Sequence, residues 1–396
     1  MKRHLQIICA VSLAVLASSC TEEISDLQKD AFIKFYGSYL GDVGRDVQSM
    51  GTEGYAVTGT VVPDSVARMV LILTDEAGNQ KEGSPIVYGG DYQTAGNALL
   101  LLGDGFLLGG TLTDTTADDE FETDIFLVRT NEVGDTIWTR RFGGEENDVL
   151  NHVVQRHSGG FVIAGKKTTD EDENLWILMV DEAGQLIYDL EGSDLDDDDE
   201  ANFIYRTADG YICACTYDDG TMEGTDIYLI SLDENCNVLD ARAFGDEDDN
   251  FARSVVRIGN DYYVMGYTES TVTGLDETRL FRFSVESGEI TAPGHSATIW
   301  ANGADIKGED CILNSEGNIV VFGTTTVNEN RDMYLVVLDS EGALIGDPRE
   351  YGELGNQSGF AVDAAPDGGL ILVGTSSLEG NSLISLMKTD ANGRFN

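Results

Sequence analysis

Residues 351–396 read YGELGNQSGFAVDAAPDGGLILVGTSSLEGNSLISLMKTDANGRFN. Three strand-like runs stand out, Phe360–Ala364, Leu370–Val373 and Leu383–Thr389. The turn Pro366-Asp367-Gly368-Gly369 separates the first two, and Asp390–Gly393 closes the third. A fourth strand is expected next, and the chain stops there. Its counterpart stands at the other end, in Ala31–Gly37 (AFIKFYG), which matches Thr136–Gly143 (TIWTRRFG), the fourth strand of an internal copy. An array whose last unit is completed by its first residues is a ring. An open array would leave an unpaired strand edge and an uncovered sheet face, and donating Ile33–Tyr36 to the last unit seals both.

Working back along the chain, the same unit recurs about every fifty residues. It runs aromatic-Gly-Gly, polar loop, strand, Asp-Gly-Gly turn, strand ending Gly-Thr, polar loop, strand, Asp-x-x-Gly turn, strand. The glycine closing the second strand recurs as Gly59, Gly110, Gly165, Gly266, Gly323 and Gly374, with Cys215 in the fourth copy. The turn glycine after the third strand recurs as Gly78, Gly134, Gly184, Gly288, Gly342 and Gly393, with Cys236 in the fourth copy. Both glycines are expected where the backbone needs positive φ. Third strands such as Val70-Leu71-Ile72-Leu73 and Ile227-Tyr228-Leu229-Ile230 are apolar, as sheet strands should be. Only five prolines and no helical period beyond the N-terminal segment support an all-β chain. Four short strands per unit and seven units predict a seven-bladed β-propeller of four-stranded blades over 31–396.

The motif aromatic-Gly-Gly, Asp-Gly-Gly, Gly-Thr, Asp-Ile-Tyr-Leu, Asp-x-x-Gly, Ile-Trp resembles the SBBP-type bacterial β-propeller repeat over about 31–396. The resemblance implies a surface or secreted propeller and carries no catalytic residues.

Residues 1–19 read as a targeting segment, with basic Lys2-Arg3-His4, apolar Leu5–Leu16, and small Ala17-Ser18-Ser19 before Cys20. The apolar run is shorter than the ~20 residues a spanning helix needs. Small-small-Cys resembles the lipobox of bacterial lipoproteins, with Ala17 where leucine is usual, and implies lipidation at Cys20. A plain secretory signal cut near Ser19 is the other reading. The acidic tether that follows, within 20–30, resembles the signal that exports some lipoproteins to the outer surface. The expected location is the outer membrane, lipid-anchored, with the propeller facing outward and held close to the bilayer.

The chain has 24 basic and 71 acidic side chains, a net charge of −47. Such a balance argues against nucleic acid as a partner and suits an extracellular surface. Cys213 and Cys215 lie two apart on one strand and point the same way, so no bridge is expected between them. No Cys/His zinc spacing, Gly-x-Ser-x-Gly or His-Glu-x-x-His occurs. His152, His157 and His295 have no partner motif. Trp138, Trp176 and Trp300 fall on strands, where packing is expected rather than a sugar platform.

Loops leaving one face of blades two to five are rich in acids. Asp196/Asp198/Glu200 and Asp246/Asp248/Asn250 repeat oxygen donors two apart, which can supply three ligands to calcium or simply form a solvated acidic face. Nine residues before the closing position stand Arg156, Arg206 and Arg257, in three successive blades. At the channel mouth they either hold an anion or a partner's carboxylates, or neutralise acids such as Asp181 and Asp233. Two functions follow. One is a non-enzymatic binding module beside an outer-membrane assembly or surface ligand. The other is a carbohydrate-active or other hydrolytic propeller using loop carboxylates.

Overall fold

In the computed structural model the second and third strands of most units are buried on both faces, and blade five, whose third strand Asp276–Glu286 is only partly buried, is the exception. Glu173–Val180 shows the common case. Leu175, Ile177 and Met179 pack into one apolar cluster, while Trp176, Leu178 and Val180 pack into another on the opposite side. Alternate side chains of one strand therefore serve two different neighbours, and the strand reads as a continuous apolar run. Outer strands have one covered face only. Thr136–Phe142 accordingly alternates exposed and partly buried residues.

The structure describes residues 31–115, 121–169, 172–192, 199–218, 224–245, 248–291, 296–298, 303–352 and 354–395. Cys20, Asp196, Asp198, Asp246, His295 and Trp300 lie outside them. The described strands form seven antiparallel sheets. Six are built from consecutive strands, beginning at Val43–Ser49, Gln93–Leu102, Val149–Gln155, Glu200–Arg206, Asp249–Ile258 and Asp305–Leu313. The seventh takes Asn356–Ala364, Leu370–Leu378 and Asn381–Thr389 from the C-terminal end and Phe32–Tyr36 from the other. Phe32 pairs with Lys388 and Tyr36 with Ile384 across that closing ladder. The expected ring closure is thus present, with the strands longer than their apolar cores alone suggested.

There is no single central core. Seven apolar clusters each fill one interface between consecutive blades, for example blades one and two around Met69, Leu71, Leu99 and Phe106. The seam between the last blade and the first is filled in the same way, by Val57 and Ile72 against Ile371 and Leu386, with Tyr36 completing it. Each fully buried Leu, Ile or Phe contributes roughly 1.5–3 kcal/mol, so the seam is packed like the other interfaces. Seven wedges around an axis leave the inner strands facing a shared channel.

Candidate functional site

Each inner strand carries one bulge, at the same place in every blade. Pairing skips a residue between Gly44 and Asp46, Gly96 and Ala98, Leu150 and His152, and Ala201 and Phe203. It skips again between Ala252 and Ser254, Gly308 and Asp310, and Gly359 and Ala361. A bulge leaves its extra residue outside the ladder and re-aims the side chain. Here the extra residues line a cavity of about 630 Å3 in the channel. Blades two, three and four contribute Asn97, Asn151 and Asn202, and the other four contribute Arg45, Arg253, Glu309 and Phe360.

The bulge explains the closing glycines, and it corrects the expectation of positive φ at these positions. None of them has positive φ. A Cβ on Gly110 would lie 1.9 Å from the Ala95 carbonyl oxygen, and one on Gly266 1.9 Å from that of Phe251. The glycine makes room for the bulged strand's backbone. The turn glycines do keep the expected geometry, with φ of 73° at Gly78 and 89° at Gly288; Cys236 adopts 60° in their place.

Around the channel, side chains bind each blade to the next. Asp46 accepts the Leu99 N–H at 2.7 Å, and Asn97 donates to the Leu150 carbonyl at 2.9 Å. Asn151 donates to the Ala201 carbonyl at 3.1 Å, and Ser254 donates to Asp310 at 3.0 Å. Asp310 accepts the Val362 N–H at 3.0 Å and Asp363 the Ser49 N–H at 2.7 Å. Between blades four and five, Tyr205 and Tyr262 meet edge to face at 5.8 Å. Every interface is joined near the axis.

Burial sets the electrostatics of this ring. It pushes Asp46 up to about 8, against the backbone donors Leu99 and Val47. Asp310 is pushed up to about 7 in the same way. His152, stacked on Phe203 at 3.9 Å and donating from Nδ1 to the Ile204 carbonyl, is pulled down by burial to about 4. Glu309 is raised by burial, which Arg253, Arg45 and Lys307 oppose. Arg253 lies 3.7 Å from Glu309 and beside the Tyr267 ring. Arg45 stacks over Phe360 at 4.3 Å. Desolvation lowers the Arg45 pKa, with Glu309 opposing that shift and Arg253 adding to it.

The residues singled out from the sequence fall elsewhere or have other partners. Arg156 donates to Gly159 in its own turn at 3.1 Å, Arg206 to the Gln155 carbonyl of the preceding blade at 2.9 Å, and Arg257 to Gly259 at 2.9 Å. Of the three, Arg257 lines the cavity. Their hydrogen bonds run to backbone carbonyls rather than to Asp181 or Asp233. Among the suggested oxygen donors, Glu200 accepts from Asn151 at 2.8 Å. Asp248 accepts the Thr271 N–H at 2.8 Å and lies 3.6 Å from Arg279, which already supplies positive charge there. Asn250 is buried, accepting from Thr268 and donating to the Asp248 carbonyl, both at 2.7 Å. Asp148 likewise holds Gly144 and Thr168 N–H groups, so part of the acidity before the inner strands shapes the blade connections. Among the described residues no group of three His, Cys, Asp or Glu is placed to hold a metal ion. Trp176 is buried and Trp138 packs toward Phe161, as expected of strand residues.

Sequence reasoning missed the bulge ring. Its residues stand about fourteen positions ahead of the closing position, from Arg45 to Gly59 and from Glu309 to Gly323. The same alignment that singled out the arginines could have shown them, by Asn97, Asn151 and Asn202 in three successive blades, but no one residue type runs through all seven.

No family model matches the chain, and no curated protein matches its sequence. Solved structures match it as a fold. Sqt1 of Chaetomium thermophilum superposes with a TM-score of 0.52 at 10% identity, covering 91% of this chain and 98% of that one. The β-propeller domain of the Trilobed protease from Pyrococcus furiosus gives 0.51 at 10% identity, covering 92% and 97%. That domain is described as having an open velcro topology. In the present chain the first strand is paired into the last blade.

Proposed function

We propose that this chain is a lipid-anchored binding propeller of the outer membrane, facing the cell exterior and working without catalysis of its own. The observation that carries the binding reading is how the channel acids are used. Asp46, Asp310 and Asp363 each accept backbone N–H groups that join blades. Glu309 is paired with Arg253. Hydrolysis by paired acids needs one free proton donor and one free carboxylate opposed across a substrate, whereas these carboxyl groups hold the ring together. The cavity rim meanwhile presents amides and guanidinium, groups suited to recognition. The resemblance to SBBP-type repeats and the Lys2–Cys20 segment support the surface placement. Two acyl chains on Cys20 would anchor it stably.

The test is mild cross-linking on intact cells, followed by fractionation and recovery of the chain, beside a Cys20→Ala variant. The wild type should sediment with the outer membrane, yield to protease shaving and bring a stoichiometric partner. Cys20→Ala should move to the soluble fraction. A variant that stays membrane-bound overturns the anchor, and protease resistance on intact cells overturns the outward placement.

A further inference from the structure

Among the described residues of the channel, two bulge guanidiniums, Arg45 and Arg253, share the one bulge carboxylate, Glu309. Arg45 has no carboxylate within ion-pair distance and no hydrogen-bond partner for its guanidinium among the described residues, while Arg253 and Glu309 already face each other at 3.7 Å. The Arg45 guanidinium sits over the Phe360 ring at 4.3 Å and lines the cavity. A guanidinium held this way matches a carboxylate in a bidentate fashion. On blades two to four, the amides are oriented by bonds that, among the described residues, use one end only. Asn97 donates to Leu150, leaving its oxygen, and Asn202 accepts from Thr216 at 2.8 Å, leaving its nitrogen. Free amide oxygens and nitrogens fixed on a rigid ring suit hydroxyl groups, which both donate and accept. Phe203, Tyr205 and Phe360 also line the cavity, with one face of Phe203 covered by His152 and one of Phe360 by Arg45.

The charge balance narrows the ligand further. Glu309 sits on the blade between Arg253 and Phe360 and opposes a second negative charge, and the chain as a whole carries a net −47. A single carboxylate is therefore favoured over phosphate or a dicarboxylate. A volume of about 630 Å3 accommodates a molecule of sugar size. Resting on the binding reading above, we propose that the bulge ring binds a small polyhydroxylated monocarboxylate, a sugar acid, with Arg45 on the carboxylate and Asn97 and Asn202 on its hydroxyls.

The experiment is ligand-observed NMR and calorimetry on the full chain with D-glucuronate, D-galacturonate and D-gluconate, and with D-glucose as the neutral control. At least one acid should bind about tenfold or more tightly than glucose, and Arg45→Gln should erase that preference. Among the described residues Arg45 makes no hydrogen bond, so the variant loses chiefly its stacking on Phe360 and should melt close to the wild type. Arg206→Gln, outside the cavity, should bind normally. The inference is overturned if none of the three acids binds at 10 mM, or if Arg45→Gln binds the preferred acid as the wild type does. Recovery of the cross-linked partner alongside that failure would leave the binding reading intact. Turnover of p-nitrophenyl glucuronide that Arg45→Gln diminishes would do the reverse, overturning the non-catalytic reading while supporting carboxylate recognition.

Discussion

Tyr36, Tyr88 and Tyr351 occupy the aromatic position before glycine in their units, and each reaches across to the next blade. Their hydroxyls donate to the turn carbonyls of Gly78, Gly134 and Gly393 at 2.6, 2.7 and 2.6 Å. Phe142 and Phe244 hold the same place without a hydroxyl. In blade two Trp138 takes over, donating from Nε1 to the Glu182 carbonyl at 3.0 Å beside Gly184. The aromatic-Gly marker and the turn glycine, legible as separate repeats, are thus two halves of one contact. Burial raises the pKa of all three tyrosines, so the donors stay protonated. Tyr88→Phe should cost about 1–3 kcal/mol, because it strands a buried carbonyl. Tyr188→Phe, on an exposed outer strand, should be nearly silent in the same denaturant titration. Equal midpoints for the two variants would show that the contact contributes nothing.

At the scale of the element, the bulge and its glycine act as one device. The bulge kinks the inner strand so that Arg45, Asn97 or Arg253 leaves the ladder, and the glycine opposite admits the displaced carbonyl. Blade four has Cys215 there, opposite Ala201, and nothing in the structure explains how its Cβ is accommodated. Cys213 and Cys215 are buried and free, with Sγ atoms 3.5 Å apart on the same side of their strand, as the spacing predicted. Gly266→Ala should force the Phe251–Ala252 backbone aside, costing about 1–3 kcal/mol as overpacking does, and should shift Arg253 within the channel. Gly103→Ala, whose Cβ meets nothing within 4 Å, is the matched control. A Gly266→Ala melt that overlays the control would remove steric room as the reason for glycine at this marker.

At the scale of the molecule, titration of the ring couples to stability. Burial holds Asp46 near 8, Asp310 near 7 and Asp148 near 6 in the folded chain, against about 3.9 for an exposed Asp. The folded state therefore keeps protons that the unfolded state has released. That stabilisation is fully present below about pH 4 and is lost as pH rises through 6 to 8. His152 works the other way: its folded pKa near 4 gives a contribution present above about 6.5 and lost as pH falls toward 4. Between pH 8 and 6.5 only the acids change balance, and the repulsion within a net charge of −47 eases as well. Calorimetry at constant ionic strength should show Tm rising from pH 8 to 6.5, with a weaker gain below that as His152 opposes it. A Tm that falls over the first interval would contradict the raised acids. The sequence by itself determined the blade count, the strand order and the closure by Ile33–Tyr36, because apolar strand runs, recurring glycines and a missing strand are all written in contiguous residues. Only the tertiary structure decided the channel. Its seven bulge residues lie about fifty positions apart, are of four different types, and meet only when the ring closes. The same distance separates the arginine register from its outcome. Arg156, Arg206 and Arg257 look alike in a linear alignment, yet each guanidinium donates to a backbone carbonyl and, of the three, only Arg257 joins Arg45 in lining the cavity.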